Sequence, residues 1–234
     1  MGEERGRNME TIHNYQDFVQ ELYQVGFSVG GENGEGIFTL CDSFGEEICW
    51  HTEQPDTDPW EWRMRVLNET NDIAYGKYFF KKSGYITKEW FPYFYAVRRG
   101  RVTLEEEYDA GIISQCAKEI YDLLEEHKEL PLHLIKQYGG YTKEDKSRFD
   151  RALTELQTRF FITMSGRARK QSKKGEEYGW SSTVFCLVED FWGEEVIAQG
   201  EHMEKTEAYE KIRQQILRLN PNVDSKKCKR FIEG

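Results

Sequence analysis

The sequence predicts a mostly helical α+β protein, with a winged helix-turn-helix in the second half and an aromatic-rich α/β subdomain before it. Three observations carry this reading. From Ser114 to Leu156 three helical patterns follow one another, each with its own start signal. Two strand-like runs, 160–164 and 183–188, then flank a polar stretch rich in Arg and Lys. Upstream, aromatic residues crowd between Tyr75 and Tyr95, which demands that much of the first half packs around rings.

Taken in order, residues 1–12 are polar and expected to fray, and a subdomain is expected over 13–113. Asn14 caps a helix whose apolar positions Tyr15, Phe18, Val19 and Leu22 recur at helical spacing, with Gly26 as its stop. Glycines at 30, 31, 34 and 36 predict a turn, followed by short strands at 36–40 and 47–50. Asp58-Pro59-Trp60-Glu61 is a helix start. Asp58 can accept from first-turn N–H groups, Pro59 sits where no donor is needed, and Glu61 can reach back to the cap. Trp60, Met64 and Leu67 are expected on its inner face. The aromatic block then predicts a hairpin or irregular extended part and a helix strained or delayed by Pro92.

A winged-helix unit is expected over 114–190. Ser114 caps its first helix, with Ala117, Ile120, Tyr121, Leu123 and Leu124 inward. Pro131 opens a second helix that stops at Gly139-Gly140. Thr142 and Asp145 start a third, where Phe149, Ala152, Leu153 and Leu156 stand at i, i+3, i+4 and i+7. Strand, long polar loop (165–181) and returning strand complete the winged-helix order. Over 191–234 a helical segment capped by Thr206 is expected, ending in the basic tail Lys226-Lys227-Cys228-Lys229-Arg230.

The 234-residue chain can bury a real core, and its formal net charge is −10. No run reaches the length of a membrane span, and the start is not read as a secretory leader. Five cysteines, never spaced Cys-x-x-Cys, read as reduced thiols of a cytoplasmic protein, with Cys116 and Cys186 on apolar faces. No cofactor fingerprint and no metal-ligand spacing is present, so neither group is expected.

Against that acidic body, residues 159–174 hold no carboxylate and six basic side chains: Arg159, Arg167, Arg169, Lys170, Lys173 and Lys174. A positive strip on a negative body selects an anion, and a wing beside a recognition helix points to double-stranded DNA. The outward face of the third helix carries Ser147, Arg151, Thr154 and Thr158, flanked by Arg148, which are side chains able to read base edges. Glu144, Asp145, Asp150 and Glu155 nearly balance that helix, so the bland alternative is a solvated or protein-binding face. Expected nucleic-acid contacts are therefore Ser147, Arg148, Arg151, Thr154, Arg167, Arg169, Lys170, Lys173 and Lys174. A third place of interest is the loop from Cys49 to Asp58, where His51, Glu53, Asp56 and Asp58 crowd together. It reads more simply as a satisfied polar turn.

Asp58-Pro59-Trp60-Glu61-Trp62-Arg63, Ala74-Tyr75-Gly76-Lys77, Glu89-Trp90-Phe91-Pro92-Tyr93-Phe94 and the run Arg148 to Gln157 together resemble the AlkZ-related winged-helix proteins. These are distant relatives of bacterial glycosylases that excise crosslinked or alkylated bases. The resemblance runs from about Tyr15 to the C-terminus and implies tandem winged-helix-like modules cupping duplex DNA, with a link to repair. The glycosylases position water with a Gln-aliphatic-Gln or Gln-aliphatic-Asp motif. This chain has only Gln54-Pro55-Asp56, so Gln54, Asp56 and Glu53 are the candidate catalytic groups, with Trp50, Trp60, Trp90 and Tyr93 as candidate walls for a base. The alternatives to plain DNA binding are thus a glycosylase and a protein-interaction module; any protein partner is unspecified.

Overall fold

One antiparallel sheet organises the chain. Its strands are β1 (Phe27–Val29), β2 (Ile73–Phe79), β3 (Lys82–Thr87), β4 (Glu129–Pro131), β5 (Ile162–Gln171) and β6 (Glu177–Leu187). Their spatial order is β1-β3-β2-β5-β6-β4. The computed structural model describes residues 10–171 and 175–234. Lys173 and Lys174, and residues 1–9 of the expected frayed start, lie outside the described residues. Packed chain already includes Ile12, which is fully buried and bridges to Phe44.

Helix α1 (Tyr15–Val25) begins as its sequence demands, with the Asn14 side chain accepting from the N–H groups of Gln16 and Asp17. Gly26 ends it in the left-handed region, at φ 90°, and a side chain there would strike Trp90. The chain turns directly into β1, which pairs with β3. The strands expected at 36–40 and 47–50 are instead turns around a short 3₁₀ segment, Leu40–Ser43. Side chains replace the ladder there: Leu40 N–H donates to Ser28 Oγ (2.9 Å), and Thr39 Oγ1 donates to the carbonyls of Val29 and Gly31.

Helix α2 (Pro59–Glu69) starts at the Asp58 cap. Its buried tryptophan is Trp62, not Trp60, which stays half exposed. Trp62 packs 5.0 Å from Phe18 and 5.5 Å from Phe44, ring centre to ring centre. Strands β2 and β3 form a hairpin turned by Phe80 and Lys81, both at positive φ (51° and 62°). That is the geometry of a mirror-image two-residue turn, usually given to Asn-Gly. Helix α3 (Phe91–Arg98) is not delayed by Pro92, which falls in the first turn where no donor is missed.

After α4 (Leu104–Asp109) come α5 (Gln115–His127), α6 (Leu132–Tyr138) and α7 (Lys146–Thr158). Ser114 caps α5, and Thr142 bonds to Asp145 just before α7 through both its N–H and its hydroxyl. Strand β4, unexpected from sequence, lies between α5 and α6 and pairs with β6. The polar segment expected as a loop over 165–181 is mostly strand. Both faces of this part of the β5–β6 hairpin are polar, so no apolar alternation marks it.

Helices α8 (Val188–Trp192), α9 (Glu194–Glu201), α10 (Lys205–Leu219) and α11 (Ser225–Glu233) complete the chain. The supposed cap Thr206 lies inside α10, and the supposed basic tail is the amphipathic α11. Phe231 of α11 stacks on Phe79 at 4.0 Å and meets Phe27 and Phe94. Buried Arg98 locks this corner, donating to the carbonyls of Tyr78, Thr158, Phe231 and Ile232. The last turns of α7 and α11 and the end of β2 are thereby fixed around one guanidinium.

Candidate nucleic-acid interface

Helix α7 buries Phe149, Ala152, Leu153, Leu156 and Gln157. Gln157 welds it to the sheet: its amide oxygen accepts from Lys77 N–H (3.0 Å) and its amide nitrogen donates to Leu153 O (2.8 Å). Thr158 also donates to Lys77 O. With one face fixed, the other must point out, because successive residues turn about 100° around the axis. Ser147, Arg148, Arg151, Thr154 and Thr158 accordingly line a groove of about 1130 Å³.

The opposite wall comes from distant sequence. Lys77, Phe80 and Lys81 reach it from the β2–β3 hairpin, and Arg230 and Gly234 from the end of the chain. Eight basic side chains border the groove: Lys77, Lys81, Lys143, Lys146, Arg148, Arg151, Arg159 and Arg230. Among the described residues only three acidic side chains do so, Glu144, Asp150 and Glu155. Some of that charge is internally matched. Arg159 is held by both carboxylate oxygens of buried Glu107, and Arg148 pairs with Asp145 at 3.0 Å. Among the described residues, Lys77, Lys81, Lys143, Lys146, Arg151 and Arg230 have no carboxylate within ion-pair distance. A phosphate in this groove would meet cations whose charge is not already spent on a neighbour.

The β5–β6 hairpin presents its cations differently. Arg167 faces α2 and pairs with Glu61 at 2.9 Å. Arg169 and Lys170 line a second groove, of about 460 Å³, with Pro131, His133, Leu134, Gln137, Ala168 and Tyr178. His133 lies 2.6 Å from the Ser182 hydroxyl. Burial and then the nearby Lys170 hold its imidazole below the usual range. Among the described residues none lines both grooves. The structure thus brings Ser147, Arg148, Arg151 and Thr154 together, and Arg169 with Lys170, as two separate sets.

The loop before α2 is organised by Asp58. Its carboxylate accepts from the N–H groups of His51, Thr52, Glu53 and Trp60, at 2.8–3.1 Å. Burial by itself raises this carboxyl, but the four donors outweigh it and leave the group below its ordinary value. Glu53, Gln54 and Asp56 are exposed and line neither groove; Asp56 sits 3.8 Å from Arg65. The four aromatic groups expected as walls do not converge. Trp90 is buried against Phe27 and Tyr93, whereas Trp50 and Trp60 stand half exposed at 41% and 42%. Trp60 instead carries His51 at 4.8 Å and the Arg63 guanidinium at 3.5 Å. Among the described residues, no group of three or more His, Cys, Asp or Glu side chains can hold a metal ion.

Sequence reasoning missed Lys77, Lys81, Lys143, Lys146 and Arg230. Only Arg230 carried a signal, inside a basic run taken for a tail. Among the described residues no helix is long and apolar enough to cross a membrane, and all five cysteines are free thiols. A search of the curated proteins found no match to this chain, and a search of the solved structures found none either. The family model described as AlkZ related matches residues 12–233, which takes in α1 through α11 and every strand of the sheet, so the chain belongs to the AlkZ-related family.

Proposed function

We propose that this chain is a repair-linked, DNA-binding protein that grips duplex DNA through the outward face of α7 and the β5–β6 hairpin. The observation that carries the proposal is the groove in which basic side chains from β2–β3, the start of α7 and α11 gather around Arg151. Each cation seated on a phosphate releases a counterion, which is the sequence-independent part of binding. The element order α5-β4-α6-α7-β5-β6 supports reading residues 114–190 as a winged helix, with α7 as the helix that enters the major groove. Membership of a family related to repair glycosylases supports DNA as the partner. Buried free thiols at Cys116, Cys186 and Cys228 support a reducing, cytoplasmic setting. Because Glu53, Gln54 and Asp56 stand in water rather than around a pocket, we attach no reaction to them.

Titrating a fully paired duplex over a salt series tests this. Changing Lys77, Lys81, Arg151 and Arg230 together to Ala should flatten the plot of log affinity against log salt by about 3–4 units, at roughly 0.9 per phosphate contact. Changing Arg167, Arg169, Lys170, Lys173 and Lys174 to Ala should flatten it separately. An unchanged slope in both variants removes DNA from the groove and the hairpin alike.

A further inference from the structure

The most anomalous side chain on the surface is Trp180, at 96% exposure, while Trp62, Trp90 and Trp192 are at 7% or less. An indole left in water forgoes the burial that makes tryptophan valuable to a fold, so a fold-only account leaves it unexplained. Its position is built rather than incidental. Ala168 pairs with Ser182 and Lys170 pairs with Tyr178, so the single residue Arg169 faces Gly179, Trp180 and Ser181. Gly179 takes φ 73°, a conformation an L side chain rarely adopts, and the surplus residues bulge outward. The bulge leaves Trp180 in water opposite Arg169 and next along the ribbon from the Lys170–Tyr178 pair, Tyr178 itself half exposed and Glu177 farther toward the tip.

A two-stranded ribbon fits a DNA groove, cations on it draw phosphates, and a projecting planar side chain can enter only where bases unstack. We propose that Trp180 is a stacking wedge that selects duplex DNA containing an unstacked base, such as a bulge, gap or mismatch. The proposal rests on the DNA-binding reading above and adds to it the class of DNA preferred.

The test compares wild type, W180A and W180F on a fully paired duplex and on the same duplex carrying one unpaired base, at several salt concentrations. Wild type should favour the unpaired-base duplex by about tenfold, the order expected of one base–aromatic stack. W180A should lose that preference while keeping its paired-duplex affinity within about twofold and its salt slope unchanged. W180F should keep most of it. A side chain so exposed supports nothing else, so both variants should melt like wild type. Salt-dependent binding with no preference, or with a preference that W180A retains, overturns the wedge and leaves the DNA reading standing. Absence of salt-dependent binding to either duplex overturns both. Concentration-dependent self-association that W180A abolishes overturns the wedge by giving Trp180 to a second copy of the chain.

Discussion

The α7 groove and the β5–β6 hairpin are both basic, yet their charges are held in opposite ways. In the hairpin the cations are neighbours in sequence, and the one at its root, Arg167, is already matched by Glu61. In the groove they come from segments more than 150 residues apart, Lys77 and Arg230 among them, and six of the eight lack a carboxylate partner among the described residues. A run of like charge in sequence is therefore a poor measure of field at a surface. What matters is whether the fold supplies a counter-charge. The walls of the groove are also tied into the core, by Gln157, Arg98 and the aromatic cluster.

That bracing gives the largest expected effect. Phe231→Ala removes the ring stacked on Phe79 and packed against Phe27 and Phe94, and should cost about 3–5 kcal/mol in urea denaturation. Arg230 is its sequence neighbour, with its guanidinium 5.2 Å from the Phe80 ring, so the groove wall should loosen with it. Changing the exposed Arg167, Arg169 and Lys170 of the hairpin to Ala should, by contrast, leave stability nearly unaltered. Equal losses from the two would break the contrast between a built wall and a free ribbon.

How much could be read from sequence follows the same division. Helices α1, α2, α5, α6 and α7 announced themselves through caps at Asn14, Asp58 and Ser114 and through apolar spacing, since both signals are local. Phe149, Ala152 and Leu153 fixed which face of α7 points outward, so Ser147, Arg151 and Thr154 were placed correctly around the helix. The other wall was illegible because it depends on tertiary position. Lys81 enters the groove only because Phe80 and Lys81 occupy left-handed backbone, and Arg230 only because Phe231 docks α11. The outer hairpin was misread as loop because strands wet on both faces have no apolar period. Trp60 and Trp62 were exchanged because both sit near the start of one helix, and tertiary packing decides between them.

A middle-sized effect should come from Asp58→Asn. One amide oxygen cannot serve four N–H donors, and its NH₂ group would confront the N–H groups of Thr52 and Glu53. The expected loss is about 1–3 kcal/mol, read by thermal melts. The pH dependence supplies the sign. A carboxyl whose folded pKa is depressed contributes stability that is present above its unfolded value, about 3.9, and is lost as pH falls through the folded value. Wild type should lose this component in acid, while the Asn variant should show a shallower decline below about pH 4. Parallel declines would mean that Asp58 does not hold the loop as an ion.

The smallest effect should be the most discriminating. Glu61→Gln removes the counter-charge of Arg167, in a pair that is half exposed on the Arg167 side and more covered on the Glu61 side. Stability should change by no more than about 1 kcal/mol, as for ion pairs near the surface. Duplex affinity at low salt should rise a few-fold, and the salt slope should steepen by roughly 0.9, as for one added phosphate contact. A steeper slope would show that the α2-facing side of the hairpin meets the backbone and that Glu61 holds part of the hairpin's charge in reserve. An unchanged slope would take Arg167 out of the hairpin's contacts and leave it as a brace between β5 and α2.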